Sequence, residues 1–146
     1  MEHNLGKQLH IILIEDDDVD AEAIQRAFKV SGMVAKTTRY VDGRAALDGL
    51  RGPFGVQLQS EPYLILLDLN MPRMNGLTFL DELRNDPRLK RSIVFALSAS
   101  ELEGDRAAAY DRRVAGYLVK ARQGIEYSAL RELLEVYYQA IEFPMI

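Results

Sequence analysis

The chain repeats one pattern five times, a short β-type run followed by a longer amphipathic stretch, and this limits its fold more than any other feature. Ile11-Ile12-Leu13-Ile14, Leu64-Ile65-Leu66-Leu67, Ile93-Val94-Phe95-Ala96-Leu97 and Tyr117-Leu118-Val119 are the compact runs. Each is too short and too continuous for a surface helix and suits a strand buried on both faces. Residues 34–41 are β-branched and mixed in polarity, so they read as a strand nearer an edge. The intervening stretches, 19–29, 43–51, 76–84, 101–113 and 125–140, have helical periodicity, and Asp86-Pro87 stops the third. This order predicts an α/β fold, a five-stranded parallel sheet with right-handed crossovers and helices on both faces. Residues 52–62, with glycines, prolines and glutamines but no period, read as a surface loop.

Length and composition narrow the classes. At 146 residues the chain is one domain, with a tail at 1–8, the folded unit at 9–140 and an apolar end at 141–146. A net charge of −4 gives no general attraction to nucleic acid or anionic membrane. The absence of cysteine excludes disulfides, thiolate zinc sites and thiol nucleophiles. With no apolar run near ~18 residues and no secretory leader pattern at its start, the chain is expected to be cytoplasmic.

In open parallel sheets ligands sit outside the carboxyl ends of the strands, so the residues after each run matter most. After the first stand Glu15-Asp16-Asp17-Asp18, with Asp20 and Glu22 close behind. Asp18 and Asp20 read as ordinary first-turn acids of a helix. Glu15 and Asp16, at the strand tip itself, repel one another unless a cation or a base lies between them. Asp68 follows the third strand about seven residues before the next helix, so it is not a helix cap. Ser98 follows the fourth strand, and Lys120 the last.

Parallel topology brings these tips to one edge, and the set suits phosphoryl transfer to a carboxylate. Asp68 is the expected nucleophile. Glu15, Asp16 and Asp68, with the backbone carbonyl of Asn70, would hold Mg2+ through oxygen ligands. Lys120 would meet one phosphoryl oxygen and Ser98 would donate to another. Asn70 and Ser100, two residues beyond Asp68 and Ser98, would flank the water of hydrolysis, and neither is a strong general base.

Ile-Leu-Ile-Glu-Asp-Asp (12–17), Val-Asp-Gly-Arg-Ala-Ala-Leu (41–47), Leu-Ile-Leu-Leu-Asp-Leu-Asn-Met-Pro (64–72) with Asn75-Gly76, Ala-Leu-Ser-Ala-Ser (96–100) and Gly-Tyr-Leu-Val-Lys (116–120) resemble the receiver domains of two-component response regulators. The resemblance implies the (βα)5 flavodoxin-like receiver fold, with Asp68 as phosphoacceptor, Glu15 and Asp16 as the acidic pair, Ser98 as the switch hydroxyl and Lys120 as the site lysine. Tyr117 takes the place of the aromatic that changes rotamer on activation. Ala121 stands where the family has proline, so the Lys120–Ala121 peptide is expected to be trans or the loop rearranged. The 52–62 insertion and the ending at 133–144 resemble small regulators that partner bacterial phytochromes, so the expected donor is a sensor histidine kinase of that type.

Two alternatives compete: a receiver-fold scaffold without phosphorylation, and a haloacid-dehalogenase-like phosphotransferase. The second needs a general acid where Asn70 stands. Only His3 and His10 are present, and neither suits a phosphohistidine carrier, so the phosphoryl donor is another protein. The last helix carries apolar residues over about 200° of its circumference, more than a sheet-covering stripe needs. Leu130, Leu134, Tyr137 and Ile141 form the expected inner seam. Leu133, Val136, Tyr138 and Ala140, with Phe143 of the tail, form an outer surface expected to make a homodimer.

Overall fold

The computed structural model describes residues 8–32, 34–58, 60–71 and 74–144. Among them five strands, β1 (Leu9–Ile14), β2 (Val34–Tyr40), β3 (Tyr63–Asp68), β4 (Val94–Ser98) and β5 (Gly116–Val119), form one sheet in the order β2-β1-β3-β4-β5. Each adjacent pair is parallel. The helices are α1 (Asp18–Lys29), α2 (Gly43–Arg51), α3 (Pro53–Leu58), α4 (Gly76–Asn85), α5 (Glu103–Asp111) and α6 (Ser128–Ala140).

The strands alternate their side chains between two cores, as a pleat requires. Ile12, Ile14, Ile65, Leu67, Val94 and Ala96 meet Leu47, Phe79, Leu80 and Ala109 from the helices on one face. On the other face Ile11, Leu13, Leu64, Leu66, Phe95 and Leu97 meet Ile24, Phe28, Leu130 and Leu134 of α1 and α6. The three central strands β1, β3 and β4 are buried throughout, which is why their sequences are continuous apolar runs. β5 is half-buried instead, because it lies at an edge of the sheet.

Side chains set the helix starts. Asp17 accepts from the Asp20 amide, Asp42 from Ala45 and Asn75 from Thr78, each the N-cap of its helix. Asn75 rather than Asp68 therefore opens α4, leaving Asp68 free of capping. His10 is buried, with Nε2 2.8 Å from Thr38 Oγ1 on the neighbouring strand. Burial lowers its pKa, against a partial upward pull from Glu61.

At the end of the sheet remote from Asp68, Arg84 has no carboxylate among its hydrogen-bond partners in the described residues. It donates to the carbonyls of Arg112, Lys90, Ser92 and Arg113, tying together the turns before β4 and β5.

Two sequence expectations are corrected. Residues 52–62 are not a structureless loop, because they contain α3, with Gly55 and Leu58 buried. That helix is too short to display a hydrophobic period, and its glycine is set by contact: a Cβ on Gly55 would lie 1.8 Å from the Leu50 carbonyl oxygen. The last helix is also interrupted at its start, with a 3-10 turn at Ile125–Tyr127 before α6. Its buried stripe is Leu130, Leu134 and Tyr138, so Tyr138 lies inside rather than on the outer face. Steps of four residues overshoot the helical repeat by about 40°, so such a stripe winds across the helix.

Gly55→Ala is expected to lower stability by about 1–3 kcal/mol, since backbone must move to admit the methyl. Gly104→Ala, in α5 with open space at its Cβ position, is expected to raise stability by about 0.5–1 kcal/mol. Denaturant melts of the two variants check both signs.

Candidate functional site

β1, β3, β4 and β5 end at one edge, and the residues there converge. Glu15 follows β1, Asp68 ends β3, Ser98 ends β4 and Lys120 follows β5. Glu15, Asp16 and Asp68 can each direct a carboxylate oxygen into one space, with those oxygens within 4.8 Å of one another. Glu15 and Asp68 are buried at 0% and 3% exposure, whereas Asp16 is exposed. Two buried carboxylates and a third at the mouth, all oxygen donors, fit a hard divalent cation.

The cationic partner is Lys120. Its Nζ lies 2.9 Å from Glu15 Oε1, 2.9 Å from Asp20 Oδ2 and 3.6 Å from Asp68 Oδ2. The contact with Asp20 is a hydrogen bond. The approach to Glu15 is an ion pair without hydrogen-bond angles, so Oε1 is buried with no hydrogen-bond partner. A buried carboxylate oxygen with no hydrogen-bond donor of its own fits an oxygen-ligand role toward a hard cation. Burial, reinforced by Asp68, pushes the Glu15 carboxyl up to about 8, against the downward pull of Lys120. Lys120 is shifted the other way: burial disfavours its charge, but Asp20, Glu15 and Asp68 outweigh that and hold its pKa above the ordinary lysine value.

A cleft of about 660 Å3 opens beside these groups, lined by Asp16, Leu69, Asn70, Met71, Asn75, Leu77, Ser98 and Asp105. The Asn70 amide donates to Asp68 Oδ1 at 2.9 Å, fixing the carboxylate. Ser98 Oγ donates to Asn70 Oδ1 at 2.9 Å and accepts from the Ser100 amide at 3.0 Å. Ser100 does not turn its hydroxyl toward Asp68; it donates to Asp105 Oδ2 at 2.5 Å and accepts from the Leu102 amide. Tyr117 is half-buried, its hydroxyl donating to the Ser100 carbonyl at 2.9 Å. Lys120 begins a 3-10 turn, Lys120–Arg122, and no peptide among the described residues is cis, as the alanine at 121 led one to expect.

Of the expected interface residues, Val136 is 64% exposed, Leu133 39% exposed, and Ala140 exposed. Tyr138 and Phe143 depart from expectation. Tyr138 is 6% exposed, and Phe143 folds back with its ring centroid 5.9 Å from that of Tyr138 and 6.4 Å from that of Tyr137. Burying two aromatic rings against their own helix outweighs leaving them in water. Met145 and Ile146, the end of the expected tail, lie outside the described residues, as does His3.

Residues 11–132 match the response regulator receiver domain family. The chain belongs to that family. A receiver of this kind is not a classical enzyme, so the haloacid-dehalogenase-like alternative falls away. The chain is 37% identical over 112 residues to the response regulator Rcp1 of Synechocystis, covering 77% of this chain and 76% of that one. A crystal structure of the Mn(2+)-bound form of Rcp1 superposes with a TM-score of 0.77 at 31% identity, covering 92% of this chain and 98% of that one. The phosphorylated cyanobacterial phytochrome response regulator RcpA gives a TM-score of 0.79 at 33% identity, covering 91% and 95%. Among the described residues of this receiver, no helix is long and apolar enough to cross a membrane.

Sequence reasoning missed three groups here: Asp20, Asp105 and Tyr127, whose hydroxyl donates to Asp20 Oδ1 at 3.3 Å. Asp20 stood in the sequence only as a first-turn acid of α1, with nothing to join it to Lys120. Asp105 and Tyr127 carry no local signal, because only the tertiary fold brings them to the strand tips.

The raised Glu15 pKa has a defined consequence for stability. A carboxyl whose folded pKa lies above its unfolded value contributes stability below the unfolded pKa, and this is lost as pH rises through the folded one. In chelator-treated protein the Glu15 contribution is therefore expected to fall from about pH 4.5 to about pH 8. The slope is at most about 1.4 kcal/mol per pH unit. Glu15→Gln should flatten that part of the profile in thermal melts taken at pH 5 and pH 8.

Proposed function

We propose that this receiver takes a phosphoryl group from a sensor histidine kinase onto Asp68, in a Mg2+-dependent reaction, and signals through protein–protein contacts. The observation that carries the reading is the Asp68 carboxylate, buried at the tip of β3, fixed by the Asn70 amide and 3.6 Å from the Lys120 ammonium. A buried anion so placed, beside two further carboxylates, is costly even with these partners, and its presence at a strand tip supports a site that uses it.

Asp68 attacks the phosphorus of a phosphohistidine. The Asp68 O–P bond forms as the P–N bond breaks, and the departing imidazole takes a proton from solvent. Glu15, Asp16 and Asp68, with the Asn70 carbonyl, would hold the cation, which neutralises charge on the phosphoryl group when bound. Lys120 supplies positive charge to a phosphoryl oxygen. Ser98 must exchange its hydrogen bond to Asn70 for one to a phosphoryl oxygen. Because Ser98 Oγ also accepts from the Ser100 amide, and the Ser100 carbonyl holds Tyr117, that exchange pulls on the tyrosine. The Asn70 side chain lines the cleft where the hydrolytic water would enter, and Ser100 acts on it only after leaving Asp105.

Similarity to RcpA, a phytochrome response regulator, supports a phytochrome-type kinase as donor. Asp68→Asn is expected to abolish uptake of phosphate from acetyl phosphate, as is removal of Mg2+ from the parent, both read by intact mass. A parent that takes up nothing would favour the scaffold alternative.

The exposed stripe of Leu133, Val136 and Ala140 on α6 supports a homodimer through this helix, without Tyr138 and Phe143. Sedimentation is expected to give a dimer at tens of micromolar and a monomer for Val136→Glu. Cutting the chain before Phe143 is a poorer test, because it also strips a ring from the fold's own packing.

A further inference from the structure

Of the acids at the start of α1, Asp17 caps the helix and Asp18 pairs with Arg39 at 2.8 Å. Asp20 does neither. Its Oδ2 accepts from Lys120 at 2.9 Å, and its Oδ1 accepts from the Tyr127 hydroxyl at 3.3 Å. Tyr127 is delivered by an unusual backbone: Glu126 and Tyr127 are consecutive non-glycine residues with positive φ, at 52° and 57°, following Gly124 at 77°. Such conformations are disfavoured for residues bearing a Cβ, and persist where surrounding contacts fix them. Here the ring packs on the α1–α6 core and its hydroxyl meets Asp20. The Tyr127 hydroxyl, pushed up to about 12 by burial and by Asp20, remains a donor at neutral pH.

The lysine thus sits nearer to Asp20 than to Asp68, 2.9 Å against 3.6 Å. We propose that Asp20 is a positioning residue for phosphoryl transfer: with its carboxylate fixed by Tyr127, it holds the Lys120 ammonium on the α1 side of the cleft, and the lysine reaches the phosphoryl oxygens only by leaving that ion pair. This rests on Asp68 as the phosphoacceptor. Asp20 competes with the incoming phosphoryl group for one ammonium, so it restrains the rate of phosphorylation.

The full-length chain with Mg2+ and acetyl phosphate tests this by intact mass, followed over hours so that slow uptake is still counted. Asp20→Asn is expected to take up phosphate roughly three- to tenfold faster, the size expected when one half-exposed charge pair is lost. Asp20→Glu, which restores the charge, should return to within twofold of the parent. In a Lys120→Ala background the Asp20→Asn effect should shrink below twofold, because the two act through one contact. Tyr127→Phe should shift the rate the same way by less, and it carries the test if Asp20→Asn folds poorly. If both single variants stay within twofold of a parent phosphorylated on Asp68, or if the effect persists without Lys120, the proposal is overturned and the acceptor assignment stands. A parent that takes up no phosphate, or an Asp68→Asn that still does, overturns the acceptor and this proposal together.

Discussion

One ammonium among three carboxylates governs this end of the molecule. Lys120 stands against the buried carboxyl groups of Glu15 and Asp68 at adjacent strand tips, with Asp20 at their side. Neither burial nor like charge favours carboxylates so placed without a cation. The geometry of β5 follows from the same need. A half-buried edge strand is a weak element, yet it must end where its next residue can reach across β4 and β3 to β1 and α1. The apolar runs of β1 and β3, buried on both faces, supply the rigid frame against which that reach is fixed.

Unequal sharing of the lysine gives the site its readiness. Lys120 is committed to Glu15 and Asp20 and lies further from Asp68, while the Ser98 hydroxyl is committed to Asn70. Both groups that would stabilise a phosphoryl anion in the proposed function are thus engaged by neighbouring side chains. A resting site held by exchangeable contacts can reorganise without unfolding, because each broken contact is replaced by another of the same kind. Hydrogen bonds from Ser98 through Ser100 to Tyr117 join one hydroxyl of the site to an aromatic ring at the edge of the sheet.

Most of the frame was readable from residue order. Continuous apolar runs marked the buried strands, a mixed one marked the edge strand β2, and the gap between Asp68 and the next helix excluded capping, as Asn75 bears out. What escaped was set by tertiary contact. Gly55 looks like a loop residue until the Leu50 carbonyl is found against it. Tyr138 looks like an outer residue until the winding of the stripe and the returning Phe143 bring it inside. Asp20 looks like a first-turn acid because periodicity on one helix carries no information about a lysine one hundred residues away.

The Arg84 guanidinium, bonded to four carbonyls in two turns, divides the molecule by tolerance to change. An arginine donating to backbone oxygens holds the path of the chain itself, independent of which side chains occupy those turns. The turns before β4 and β5 are therefore poor places to open the chain for circular permutation or to insert a second domain, although they lie at the surface and far from Asp68. Residues in them can vary in kind while their number stays fixed, since an added residue would carry a carbonyl out of reach of the fork and leave a half-buried cation short of acceptors.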